Sequence, residues 1–513
     1  MKSFLKQFLL ISLFSSVLIV PSIGQSFSPY FTESQYVKYI EYLINNGTLK
    51  IPHPLSQPYT VDKIYDNLSK AEQTFNSPLL KMLRKDLLKM HSPIDSVNKF
   101  GKIYGEAEGG IRLNFLENCW DNKFYGDLLG GYSYQNFGMF YRHSFDQAYP
   151  DDTAYFKGEG KITNKIYGRT SEAYAQWNLK NLSFFIGRLN RNYGMMNEPS
   201  LILSENPYSY DHISIKFENR LLKYTFLLTR LNDIYGFDIR DTVPVYTWNN
   251  RFLSMHRFEI AILKNLELAF TESILFGGEN EGIQFQYINP VAIFFFSKMS
   301  DRSGNENQDA NAFMSFEVFF KPIKKITFFT QFLIDDLDVK SDLSAEFPTR
   351  LGISAKLVFS DPFPGSQVYL KYNRISNWTY NSFYTWGNYI SFDKSLGYPK
   401  NGVENLSAGM DCFRFAPFIL GLELKAERER AQDLQGPFIA EKTKFPVGIS
   451  QNSFSSSLNV TYFPKTWIFA NLSTQFIAYE NFQHIEGKSQ SFFNIYLTIK
   501  IIGIFKFFEK GGR

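Results

Sequence analysis

The chain has 513 residues, 44% of them hydrophobic and 18% aromatic, with a formal charge of +4. So small a charge, spread without a basic block, lacks the electrostatic footprint of a nucleic-acid binder. Beyond the N-terminus no run of about 18 apolar residues occurs, which excludes spanning helices and agrees with a mean hydropathy of −0.23.

Lys2 and Lys6 precede an apolar run from Phe8 to Val20, and the small residues Ser22 and Gly24 follow it. This pattern predicts a signal peptide over residues 1–24, cut before Gln25, because the run is shorter than the roughly 20 residues of a spanning helix. No Cys stands near the cut, so an exported chain without a lipid anchor is expected.

Residues 25–95 carry helical periodicity, and the spacing predicts a small bundle on the periplasmic side. Val37, Ile40, Leu43 and Ile44 share one stripe of a helix that ends at Gly47. A second helix starts at Thr60 with Val61, Ile64 and Leu68, and a third opens with Ser77 as cap and Pro78 at its first position. Apolar stripes of this kind usually build a packing core.

From about residue 96 to 513 the period becomes two. In Phe493–Ile501, the residues Phe493, Ile495, Leu497, Ile499 and Ile501 oppose Asn494, Tyr496, Thr498 and Lys500. The stretch Glu172–Leu179 alternates likewise, and Leu420, Leu422 and Leu424 oppose Glu423, Lys425 and Glu427. Charges in line are costly in a dry interior, whereas a polar lumen accepts them. The expectation is therefore an all-β transmembrane β-barrel, with room for about 16 to 20 antiparallel strands. A soluble double-sheet protein shares the alternation but would need a domain break that the chain does not show.

Several motifs resemble those of the Wzi-like family of capsule-assembly proteins. They include "YIEYLINNGTLKIPHPLSQPYTVDKIYDNL", "FFIGRLNRNYGMMNEPSLILSENPYSYDHISIKF", "FLSMHRFEI", "YINPVAIFF" and "FFTQFLIDDLDV". Tyr193 stands where the family tends to have Trp, and Met195 and Met196 replace an expected Gly and Pro. The resemblance implies a barrel of about 18 strands in the outer membrane, preceded by a periplasmic helical bundle. It also implies a lectin that holds capsular or other surface polysaccharide at the cell surface.

No signature of a metalloprotease, serine hydrolase or phosphate-binding loop is present, and the six His residues form no ligand-spaced cluster. The expectation is thus no catalytic residue, no metal and no cofactor. Asp151 with Asp152 and Asp335 with Asp336 are adjacent in the chain, which turns the two carboxylates of each pair apart. Asp335, Asp336 and Asp338 together suit a solvated acidic turn better than a Ca²⁺ site.

Sugar recognition needs aromatic faces beside forked hydrogen-bond donors, and two stretches supply them. One is Arg188, Arg191, Asn192 and Tyr193, whose cations have pairing with a lumen carboxylate such as Glu172 as their structural alternative. The other is Arg374, Asn377, Trp378, Tyr384 and Trp386, for which an interfacial girdle is the commoner use. The expected partners are surface polysaccharide and outer-membrane lipids, with a monomer as the expected state. A diffusion channel for small solutes is the alternative, resting on the charged lumen faces. An oxidising compartment would permit a bridge between Cys119 and Cys412, but separate burial is the favoured reading.

Overall fold

The computed structural model describes residues 27–32, 34–71, 77–90, 102–116, 119–152, 154–155, 165–240, 243–294, 310–336, 349–431, 434–435 and 445–505. The predicted signal peptide, Asp338 and the tail after Phe505 lie outside them.

Eighteen antiparallel strands close into a barrel. In chain order they are β1 Lys102–Leu116, β2 Cys119–Tyr134, β3 Phe137–Asp146, β4 Tyr167–Leu179, β5 Leu182–Leu189 and β6 Tyr210–Glu218. Next come β7 Leu222–Arg230, β8 Val243–Leu263, β9 Leu266–Gly278, β10 Asn311–Ile323, β11 Ile326–Asp336 and β12 Arg350–Ser360. The last six are β13 Ser366–Ile375, β14 Val403–Cys412, β15 Phe418–Glu429, β16 Gln451–Lys465, β17 Ile468–Glu480 and β18 Gln490–Phe505. Each pairs with the next, and β1 closes the ring on β18 from Gly105↔Phe505 to Phe115↔Ile495. A further strand, Ile234–Arg240, pairs only with the upper part of β8, forming a ribbon beyond the wall. Closure leaves no open edge on the ring, as a lipid-embedded sheet requires.

The alternation sorts the wall. Phe493 and Ile501 of β18 are exposed on the outside, while Asn494 and Lys500 are buried inside. The charged row expected to face the lumen does so: Glu423 takes Lys371 at 2.8 Å and Glu427 takes Lys400 at 2.9 Å. Connections at the end holding both barrel termini are short, such as Tyr134 to Phe137 and Lys465 to Ile468, and those at the other end are longer apart from Leu116 to Cys119.

Three helices precede the barrel: α1 Val37–Asn45, α2 Val61–Ala71 and α3 Pro78–Met90. The turn before α1, Ser34–Tyr36, is a 3-10 helix, and α1 itself starts at Val37, the first residue of its apolar stripe. It ends where Gly47 takes φ +80°, a left-handed conformation that Gly adopts without strain. Ile40, Leu43, Ile64, Leu68, Leu79, Leu83 and Leu87 form a core that continues into Phe319, Val358, Phe413 and Phe463 of the barrel region. The helices are therefore built into the short-turn mouth. Lys38 pairs with Asp411 at 2.9 Å, Glu41 with Lys356 at 2.6 Å, and Tyr42 donates to Asp361 at 2.6 Å.

Cys119 is exposed at the long-loop end and Cys412 lies at the short-turn end, both free.

Candidate functional site

Over the β7 to β14 side the lumen is packed solid. Leu227, Leu253, Leu275, Phe313 and Leu333 point inward from the wall and meet Leu201, Ile202 and Leu203 of the loop after β5. Tyr380 and Tyr389, from the loop after β13, complete this core. Loop backbone inside a barrel must find partners, and these loops supply them to each other. The Tyr380 hydroxyl donates to Leu201 O at 2.7 Å and the Tyr389 hydroxyl to Ile202 O at 2.8 Å. Gly397 is required here, because a Cβ would sit 2.2 Å from Leu201 O.

Two fully buried arginines fasten the packed side. Arg251 donates to Trp386 O at 2.8 Å and to Ile390 O at 3.0 Å, holding the loop after β13 against β8. Arg257 forks onto Glu317 at 2.7 and 2.8 Å and also donates to Leu55 O and Ser56 Oγ. Leu55 and Ser56 belong to the segment that links α1 to α2, where Ser56 and Gln57 pair as a short strand with Tyr193 and Asn192. The cost of burying these cations is offset by forked, charge-assisted bonds.

The sequence-predicted residues fall into two places. Arg191, Asn192 and Tyr193 sit in the packing. Arg191 lies between the rings of Tyr30 and Phe185, 4.6 Å from each, and Asn192 donates to Gln57 Oε1 at 2.9 Å and accepts from Ser200 N at 3.0 Å. Burial pushes the Tyr193 phenol up to about 12. Burial would also raise Tyr30, but Arg191 outweighs it and holds that phenol below its ordinary value. Trp378 and Trp386 are buried, Asn377 accepts from Val447 N at 3.2 Å, and Tyr384 stacks on Trp386 at 5.7 Å.

This corrects the girdle reading: Trp378 and Trp386 do not face lipid, because their loop folds into the lumen. Arg188 and Arg374 lie apart from the rest, on the outer wall toward the long-loop end. Arg188 pairs with Asp211 at 2.5 Å rather than with Glu172, which takes Arg142 at 3.1 Å. Arg374 sits 3.6 Å from Glu404 and 4.3 Å over Phe445. The nine residues do not share one surface.

Asp151 and Asp152 are separated as their adjacency requires. Asp151 pairs with Lys123, whereas Asp152 pairs with Lys394 at 2.6 Å and accepts from Tyr208 at 2.7 Å, tying three long loops together. Burial acts to raise Asp152, but Lys394 and Tyr208 hold it below the usual aspartate value. Asp335 accepts from Tyr380 N at 2.9 Å. Among the described residues no group of three metal-ligating side chains occurs.

The other side of the lumen is hollow. A cavity of about 610 Å³ runs along the inner faces of β1 to β3 and β14 to β18. Arg112, Tyr125, Arg142 and Asp146 line one flank, and Asn459, Thr461, Asn471 and Lys500 the other. Tyr149 closes on it from a long loop, and Lys38 of α1 lies beneath. Arg112 is held in place twice, by Asp146 at 2.7 Å and by the Tyr125 ring 4.3 Å below. Rigid forked donors, two tyrosines and short amide and hydroxyl groups make this wall suited to a hydroxyl-rich, uncharged or acidic chain. Sequence reasoning put Lys500 on a polar strand face but did not join it to Arg112 and Tyr125, which lie more than 300 positions away.

Comparison with known proteins agrees with this architecture. The family described as capsule assembly protein Wzi matches residues 95–363. Among solved structures the chain is similar to Wzi of Escherichia coli, described as an outer membrane protein involved in group 1 capsule assembly and a carbohydrate binding beta-barrel. The TM-score is 0.60 at 12% identity, over 93% of this chain and 99% of that one. Pseudomonas aeruginosa OprD is matched more loosely, with a TM-score of 0.46 at 8% identity over 80% of this chain and 97% of that one. Acinetobacter baumannii OccAB4 gives 0.46 at 8% identity, over 80% and 100%. No curated protein matches by sequence.

Proposed function

The chain belongs to the capsule assembly protein Wzi family, and from that premise we propose that it is a lectin-like barrel of the outer membrane. In this reading it binds capsular or other surface polysaccharide and attaches it to the cell, without catalysis. The observation that carries it is the half-filled lumen: one side is packed with loops, and the other keeps a polar cavity of about 610 Å³. A solute channel needs a continuous wet path, whereas a binding protein needs a walled, preorganised pocket.

Arg112, Tyr125, Tyr149, Asn459 and Asn471 are proposed to contact the glycan. Arg191, Asn192 and Tyr193 then act indirectly, by holding the loop whose Asn197 lines the pocket, and Asn377, Trp378 and Trp386 belong to the loop that packs the other side. The short-turn end and its helices are assigned to the periplasm, because outer-membrane barrels carry short periplasmic turns and long outer loops. Residues 1–24 are assigned to a cleaved export signal.

Deleting the gene and measuring cell-bound against released polysaccharide tests the attachment role. Release with normal synthesis is expected, and unchanged retention would remove the reading. Purified protein should bind polysaccharide of its own strain, and Tyr125→Ala should weaken that binding while the barrel stays folded.

A further inference from the structure

The outer wall of β8 and β9 carries two ionisable side chains where apolar ones are expected. Phe258, Ile260 and Ile262 of β8 point outward and are exposed, and His256, next in that row, also points outward yet is 1% exposed. Its neighbour across the strands is Glu272 of β9, also outward, with His256 Nδ1 3.0 Å from Glu272 Oε1. An ionisable pair facing acyl chains is costly and needs a cover.

The cover is the segment 279–294 after β9. It folds back down the outside of the barrel, where Phe294 stacks on His256 at 4.1 Å and its backbone N–H donates to both Glu272 oxygens, at 3.1 and 3.2 Å. Tyr287 and Phe294 bury Phe252, Ile274 and Phe276 beneath them. Pro290 O accepts from the Tyr224 hydroxyl, and Tyr224 lies opposite Phe258. The segment thus reaches the level of the exposed apolar row. Ile262 to Phe252 covers ten residues, about 33 Å of strand. At the usual tilt that is about 25 Å of height, the depth of a barrel's apolar band.

The segment's other face is open and mostly apolar, with Gln286 and Asn289 among its exposed polar side chains. Phe285 is 84% exposed and Val291 85%, with Ile283 and Ile293 half exposed beside them. Irregular backbone is tolerated against lipid only when its polar groups are satisfied, and from Tyr287 to Phe294 most of the N–H groups have partners. The N–H groups of Tyr287, Ile288 and Ala292 donate to carbonyls within the segment, Val291 N–H to Asn289 Oδ1, and Phe294 N–H to Glu272. Pro290 has no N–H to satisfy.

We infer that residues 279–294 form a lip lying in the outer leaflet, where Phe285, Val291 and Ile293 contact acyl chains and Phe294 seals the His256–Glu272 pair from them. The lip continues the lipid-facing surface of the barrel, and its assignment to the outer leaflet rests on the proposed orientation of the long loops.

The test is a photoreactive benzophenone side chain placed in living cells at Phe285, Val291, Phe316 or Trp248, one position at a time, with adducts identified by mass spectrometry. Phe316 lies on the outer wall of β10 and Trp248 on the ribbon above it, and both are exposed. The expected result is outer-leaflet glycolipid on Phe285 and Val291, lipid on Phe316 and none on Trp248. Lipid on Phe316 with none on Phe285 or Val291 would overturn the lip. Glycerophospholipid alone on Phe285 would place the lip in the inner leaflet and overturn the orientation instead. In Glu272→Ala, with folding checked by heat-modifiable gel mobility, lipid adducts at Phe285 should fall several-fold and those at Phe316 stay unchanged. Equal yields would show that Glu272 does not hold the lip down.

Discussion

The two sides of the lumen share one backbone architecture and differ in what their inward positions carry. On the packed side the inward rows of β7 to β11 include Leu227, Leu253, Leu275, Phe313 and Leu333, and loops fold in to cover them. On the hollow side β16 to β18 offer Ser457, Asn459, Thr461, Asn471 and Lys500 inward, and a cavity bounded by Tyr149 and Asn197 stays open in front of them. Apolar inward residues recruit a plug because exposing them to a wet lumen costs about 25 cal/mol per Å². Polar inward residues are solvated already, so they leave a cavity. The contrast teaches that lumen polarity, strand by strand, decides where such a barrel is structural and where it is free to bind.

The largest expected effect comes from breaking the packed side. Arg257→Ala strips Glu317 of its forked partner and removes the bonds donated to Leu55 O and Ser56 Oγ. Removing one member of a buried pair costs about 3–5 kcal/mol, to be read as a loss of heat-modifiable mobility at lower temperature. Planar bilayers should show steady conductance for Arg257→Ala and none for the parent. A conducting parent would mean that the packing does not seal the lumen.

The hollow side sharpens the contrast from the other direction. Tyr125→Ala should raise the Kd for polysaccharide about tenfold, equivalent to about 1.4 kcal/mol, with unfolding temperature nearly unchanged. A stability loss without a binding loss would make Tyr125 part of the frame.

A milder change on the packed side is Tyr380→Phe, which removes the hydroxyl bonded to Leu201 O and Tyr398 N. The expected cost is about 1–3 kcal/mol, since two buried groups lose their partner, with polysaccharide affinity kept. Loss of affinity would show that the packed side shapes the pocket directly.

The smallest effect is expected at the loop rim. Asp152 is held below the ordinary aspartate value by Lys394 and Tyr208, so its contribution is present above that ordinary value and disappears as pH falls through the lowered one. Hydrogen exchange in the loops after β5 and β13 should therefore rise at strongly acidic pH, after correction for intrinsic rates. Asp152→Asn should give the same rise at neutral pH, and no rise in either case would remove Asp152 as the tie.

Much of the fold was legible because period and composition are local. The three helices fell where Gly47, Thr60 and the Ser77–Pro78 pair mark ends and starts, and the outward Phe493 and inward Lys500 followed from alternation alone. The candidate site was legible only in pieces. Thr498 and Lys500 lay on a recognisable polar face, but the aromatic stretch around Trp378 looked like surface. Its burial depends on carbonyls near Leu201 and on Arg251, more than 100 residues away in each case.

The sequence by itself determined a barrel with an oily outside, a charged inside and a helical preface, because a strand's two faces are written in adjacent residues. Only the tertiary structure decided which loops enter the lumen, which arginines fasten them and where a cavity remains. Those outcomes depend on which distant polar groups can satisfy one another once the ring has closed, and that pairing has no period to read.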